Sequence, residues 1–108
     1  MTDELARRIG RNEDLFRQVN EAIARGLWPE DPDRLVAFRC ECARLDCNSP
    51  VQLTIVEYER VREHPRRFML LTGHELPVAE TVVERHPGYL VVEKQQAAGA
   101  VAEGSDPR

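Results

Sequence analysis

No cysteine lies outside residues 40–47 of this 108-residue chain, yet that short stretch holds all three that it has. No apolar run approaches the roughly 18 residues of a membrane-spanning helix. The first residues, Met1-Thr2-Asp3-Glu4-Leu5, are acidic and lack the apolar segment of a secretory signal. These absences set the expectation of a cytoplasmic protein with no membrane partner. In that compartment thiols stay reduced, so clustered cysteines point to metal or redox chemistry rather than to disulfides. An odd count also leaves no complete disulfide pairing. Lysine is almost missing: Lys94 is the single lysine among 15 basic residues. A GC-rich coding background produces such a skew, so it is no sign of nucleic-acid recognition. The formal net charge of -4 draws the chain to no polyphosphate backbone. Also missing are a Ser-His-Asp order, a Gly-rich phosphate loop, a His-Glu-x-x-His helix and any internal repeat. No catalytic residues are therefore assigned.

What is present fits one small domain. Apolar residues make up 42% and charged residues 31% of the chain, an ordinary globular balance. A chain this short buries only a modest core, which a metal staple would supplement. Helix is predicted from Asp3 to about Gly26, on the recurrence of Leu5, Ile9, Phe16, Val19, Ile23 and Leu27. Gly10 interrupts it, and Asn12 is a candidate cap for a fresh start. Residues 1–11 are thus read as a helical N-terminal extension and 12–94 as a single α+β domain. The apolar stripe Phe16, Val19, Ile23 is expected to face the core, with a partner-binding face as the alternative. Trp28 to Asp33 reads as a loop, Arg34 to Cys40 as a strand and Val51 to Thr54 as its hairpin partner. Thr54 and Glu57 form a capping-box signature for a helix from Ile55 to about Glu63, ended at His64-Pro65. Arg66 to Leu71 is a third strand. Thr81–Arg85 and Tyr89–Glu93 are strands joined at His86-Pro87-Gly88. Residues 95–108 offer little to bury and are expected to form a mobile tail. The fold class expected is α+β, an N-terminal helix on a small, mostly antiparallel sheet with a second short helix inserted.

The stretch Phe38-Arg39-Cys40-Glu41-Cys42-Ala43-Arg44-Leu45-Asp46-Cys47 is the centre of the chemistry. Cys-x-Cys on an extended chain puts two sulfurs on one side, and four intervening residues let a turn return Cys47 to them. Zinc takes four soft or borderline ligands in a tetrahedron, so one more is wanted. His74, in Thr72-Gly73-His74-Glu75, is the best candidate. A strand–helix–strand excursion separates it from Cys47 and can bring it back beside the hairpin. Gly73 permits a positive φ, and Glu75 can support the imidazole. His64, His86, water, Glu41 and Asp46 are alternatives for the fourth position. The spacing lacks the paired Cys-x-x-Cys knuckles of a zinc ribbon, and iron suits the same ligand types. Buried packing cysteines and a thiol redox switch are the readings without a permanent metal. Arg60, Arg62, Arg66 and Arg67 alternate with Glu57, Glu59 and Glu63, the pattern of a solvated helix face.

Several segments together resemble a family of short, uncharacterised bacterial proteins with no assigned activity. They are Asn12-Glu13-x-x-Phe16-Arg17-x-Val19-Asn20-Glu21-x-Ile23, Phe38-x-Cys40-Glu41-Cys42 with Cys47, and Leu53-Thr54-x-x-Glu57-Tyr58-Glu59-x-Val61-Arg62. Arg67-Phe68, Gly73-His74-Glu75, Val91-Val92-Glu93-Lys94 and Asp106-Pro107-Arg108 complete them. The resemblance implies that Cys40, Cys42, Cys47 and His74 act as a set. The function expected is a small cytoplasmic interaction or regulatory module with a structural Zn(2+) held by three cysteines and one histidine, meeting a protein partner. Two alternatives stand beside it. One is a redox sensor that releases zinc on oxidation, with Arg39 and Arg44 lowering thiol pKa values. The other is a zinc hydrolase with water in an open position and His74 or Glu41 as base.

Overall fold

The computed structural model describes residues 3–27, 33–44, 46–104 and 106. Most of the loop expected at Trp28 to Asp33 lies outside them. The fold is α+β: helix α1 (Asp3–Leu27), strands β1 (Leu35–Arg39) and β2 (Pro50–Thr54), helix α2 (Ile55–Arg62), strands β3 (Arg67–Leu71), β4 (Glu80–His86) and β5 (Tyr89–Lys94), and helix α3 (Gln96–Gly104). No helix among the described residues is long and apolar enough to cross a membrane.

The strands form two antiparallel sheets rather than one. β1 and β2 make a hairpin in which Phe38 faces Val51 and Val36 faces Leu53. The second sheet has the order β3-β5-β4. β5 is its middle strand, so Tyr89-Leu90-Val91-Val92 is buried without alternation, whereas the edge strand β4 is largely exposed. The β4–β5 turn is two residues long, Pro87-Gly88, and Gly88 takes φ 87°. A side chain would be strained at that angle. The sheets meet where the Glu41 N–H donates to the Met69 carbonyl at 2.9 Å. Phe38, Leu53, Ile55, Tyr58, Phe68, Met69, Leu70, Leu90, Val91 and Val92 form the core between them.

α2 begins as its sequence signature requires. The Thr54 hydroxyl accepts from the Glu57 N–H at 3.1 Å, and the Glu57 carboxylate accepts from the Thr54 N–H at 2.9 Å. These bonds satisfy amide groups that a helix start leaves open. Ile55, Tyr58 and Val61 face inward, as their spacing predicts.

α1 departs from the reading of its sequence in two ways. It runs through Gly10 and Asn12 without a restart, so Asn12 is an interior helical residue and not a cap. It also lies on the domain by its polar face. Glu13, Arg17, Asn20 and Ala24 are buried, while Val19 is 41% exposed, Leu15 57% exposed and Phe16 half-buried. The expected inward stripe is therefore rotated largely outward, with only Ile23 packed against the core. The cause is the surface beneath. That surface presents a lysine, an arginine, a carboxylate and backbone carbonyls, and buried polar groups of this kind require polar partners. The stretch after residue 95 differs too. It carries α3, whose Ala102 is buried and whose Ala102 carbonyl accepts from Arg17 at 2.7 Å. The Arg62 guanidinium pairs with Asp106 beyond it. Gly99 lets α3 approach closely. An added Cβ at Gly99 would meet the Lys94 carbonyl at 2.9 Å and the Arg66 side chain.

Candidate metal centre

Cys40 continues the β1 edge: its N–H donates to the Ser49 carbonyl at 2.9 Å, which extends the hairpin past its last ladder pair. The chain then turns, and the Cys47 N–H donates to the Arg44 carbonyl at 3.1 Å. On the far side, β3 ends in a turn in which the His74 N–H donates to the Leu71 carbonyl at 3.0 Å. Gly73 takes φ 92° there, the conformation its position suggested. The Arg44 guanidinium ties the two turns together by donating to the Gly73 carbonyl at 3.2 Å.

The result is one cluster. Cys40, Cys42, Cys47 and His74 place one sulfur or nitrogen atom each within 4.8 Å of all the others. His74 Nδ1 is 3.7 Å from Cys40 Sγ and 3.6 Å from Cys47 Sγ. A tetrahedral zinc with bonds of about 2.3 Å to sulfur and 2.0–2.1 Å to nitrogen sets that edge at about 3.6 Å. Cys40 and Cys42 are 0% and 1% exposed, Cys47 is 8% exposed, and His74 is half-buried at the rim. All three cysteines are free thiols.

The cluster stabilises negative sulfur. Cys42 is lowered to a pKa of about 4, chiefly by a hydrogen bond from Cys40; burial opposes this, and His74 and the Arg44 N–H add to it. Cys40 is pushed up in turn, first by that same bond and then by burial. The Leu71 N–H donates to Cys40 Sγ at 3.2 Å, a contact that favours a thiolate there once a cation displaces the proton. The Arg39 and Arg44 guanidinium groups act elsewhere, on the Asn48 and Gly73 carbonyls.

The other candidates for a fourth ligand go elsewhere. His86 stacks on Tyr89 with ring centroids 4.5 Å apart and bonds Glu84 at 2.8 Å. His64 is exposed after α2, and Asp46 is exposed in the turn. Glu41 is fully buried, but its carboxylate is taken by Asn20 Nδ2 at 2.8 Å, the Tyr58 hydroxyl at 2.8 Å and the Met69 N–H at 3.1 Å. Burial raises its pKa, and those three donors oppose the rise. Glu75 does not support the imidazole: no hydrogen bond joins it to His74 among the described residues, and its Oε1 is buried without a partner.

A second constellation adjoins the first. Lys94, the single lysine, is buried and donates to Glu13 of α1 and Glu80 of β4, with its ammonium 5.1 Å above the Phe68 ring. Arg17 lies 4.6 Å over the same ring and donates to the Pro65 carbonyl at 2.7 Å and to Asp14 at 3.1 Å. Arg62 donates to Glu21 at 2.7 Å. Asn20 joins this polar layer to the cysteine stretch: its Nδ2 donates to the Arg39 carbonyl at 2.8 Å, and its Oδ1 accepts from the Arg39 N–H at 2.7 Å. Sequence reading missed these residues as a group. A signal for them existed, since Glu13, Arg17, Asn20 and Ala24 recur at helical spacing as regularly as the apolar stripe does.

No family model, curated protein or solved structure matches the chain.

Proposed function

We propose that Cys40, Cys42, Cys47 and His74 hold one zinc ion as a structural staple, in a small interaction or regulatory module. The observation that carries this reading is the spacing of His74 Nδ1 from two sulfurs, 3.7 and 3.6 Å, on the edge length of a zinc tetrahedron. The donor set agrees with it, because three sulfurs and one imidazole suit zinc better than magnesium or calcium, which prefer oxygen. The staple joins the β1–β2 turn to the turn after β3, a tie between segments 27 residues apart at Cys47 and His74.

The rival readings fit the geometry less well. Four protein ligands close a tetrahedron, whereas a hydrolytic zinc needs a position for water. Three buried sulfurs give an oxidant little access, whereas redox-sensing thiols are exposed as a rule. Elemental analysis of protein purified without added metal tests the proposal. About one zinc per chain is expected, falling in Cys→Ser variants and in His74→Ala. Full zinc retention by His74→Ala with loss of a hydrolytic turnover would favour the open site instead. A metal-free chain that is folded and equally stable would sink the proposal.

A further inference from the structure

We propose that metal loading and docking of α1 form one linked equilibrium, so that losing the metal releases α1 from a domain that otherwise stays folded. The inference rests on the metal reading above and adds a regulated element to it.

Among the described side chains, α1 is attached chiefly by hydrogen bonds and ion pairs. Among its described side chains Glu13, Asp14, Arg17, Asn20, Glu21 and Ala24 are buried, Ile23 packs against the core, Phe16 is half-buried, and Leu15 and Val19 face outward. Hydrogen bonds give little net stability each, and buried ion pairs about none relative to apolar packing. Such an element belongs to the low end of the range of local opening energies. Its attachment instead depends on its partners being held in place.

At the middle of α1, Asn20 holds the end of β1 and the metal loop that follows it. Asn20 makes three hydrogen bonds, two to the backbone of Arg39 and one to the carboxylate of Glu41. Glu41 lies between Cys40 and Cys42, so its position is fixed when both sulfurs are fixed. Without a metal, residues 40–47 keep the hairpin bond at Cys40, the turn bond at Cys47, the Glu41 bonds to Met69 and Tyr58, the Leu71 bond to Cys40 Sγ and the Arg44 bond to Gly73. Phe68, Met69, Leu70, Leu90, Val91 and Val92 pack with Phe38 and Leu53 in the core between the sheets, and α2 has its own cap. Neither depends on Asn20. Linkage is reciprocal, so α1 docking must raise metal affinity by the same factor as the metal favours docking. A residue that binds no metal, Asn20, then controls affinity.

The test is hydrogen exchange of the full chain, loaded with zinc and after chelation with EDTA. Peptides covering residues 13–24 should lose protection on chelation while those covering β3 and β5 keep it. Asn20→Ala should weaken zinc binding by about tenfold and deprotect α1 even with zinc bound. Should Asn20→Ala fail to fold, Glu21→Gln loosens α1 at Arg62, away from the cysteines, and should weaken zinc in the same direction. Protection of α1 that is unchanged on chelation overturns the proposal. So does loss in α1, β3 and β5 together, which is the behaviour of a plain staple. Wild-type zinc affinity in the folded variant overturns it as well. Failure of wild-type protein to take up zinc at all would strike the metal reading itself and is scored separately by metal content.

Discussion

Glu41 sits between two candidate ligands yet turns its carboxylate away from them, into the protein. Its neighbours explain why. Asn20, Tyr58 and the Met69 N–H supply three donors to a group with no access to water. An ionised carboxylate tolerates burial only with such partners. The Tyr58 hydroxyl is the donor that can be removed most cleanly, since the Tyr58 ring stacks on Phe38 at 4.5 Å and that stack survives in phenylalanine. Tyr58→Phe should therefore cost about 1–3 kcal/mol in urea unfolding of the metal-loaded protein, the range for a buried acceptor left short of a donor. A change within about 0.5 kcal/mol, the range typical of a neutral surface substitution, would contradict the role given to Glu41. At this scale the sulfur positions were legible in the sequence. Three cysteines in eight residues form a compact set of metal-ligating groups, and the glycine before His74 marked a turn. Glu41 was not legible, because a carboxylate beside cysteines in sequence reads equally well as a ligand or as a buried anchor. Only the positions of Asn20 and Tyr58, 21 and 17 residues away, decide between the two.

Among the elements, the hairpins and α2 were read closely, since their signals are local. Thr54 and Glu57 specify a helix start by themselves, and Pro87-Gly88 specifies a tight turn between two β-rich runs. α1 and α3 were misread because their faces are set by what lies beneath them. Periodicity places Phe16, Val19 and Ile23 on one side but does not say which side is covered. α3 is Ala- and Gly-rich, and its docking depends on Arg17 and Arg66 reaching it from other elements. The α1–β5 contact has a pH signature. Burial raises the Glu13 carboxyl from 4.5 to about 6, against the pull of Lys94. The folded state thus holds this proton more tightly than the unfolded chain. The favourable contribution is complete below pH 4.5 and is lost as pH rises to about 6, amounting to about 2 kcal/mol. Glu13→Gln removes that dependence. The stability difference between wild type and variant, by urea unfolding at pH 4.5 and pH 7, should shift against the wild type by about this amount. Saturating zinc keeps both proteins loaded at each pH, so that metal loss does not enter the difference. A pH-independent difference would contradict the assignment.

The whole molecule is two small antiparallel sheets, an apolar core between them, and a polar layer that carries α1. The α+β class was legible from the order and periodicity of the elements. The division into two sheets was not, because strand order depends on which edges meet in space, and β3 pairs with β5 rather than with β4. The four-residue cluster lies where those sheets meet, at the turns following β1 and β3, so a metal there ties one sheet to the other. The most direct test is X-ray absorption at the zinc edge on the protein as purified. A shell of three sulfurs at about 2.3 Å and one nitrogen at about 2.0–2.1 Å is the result expected. A shell containing a water oxygen in place of the imidazole, or no zinc signal from folded protein, would contradict the account.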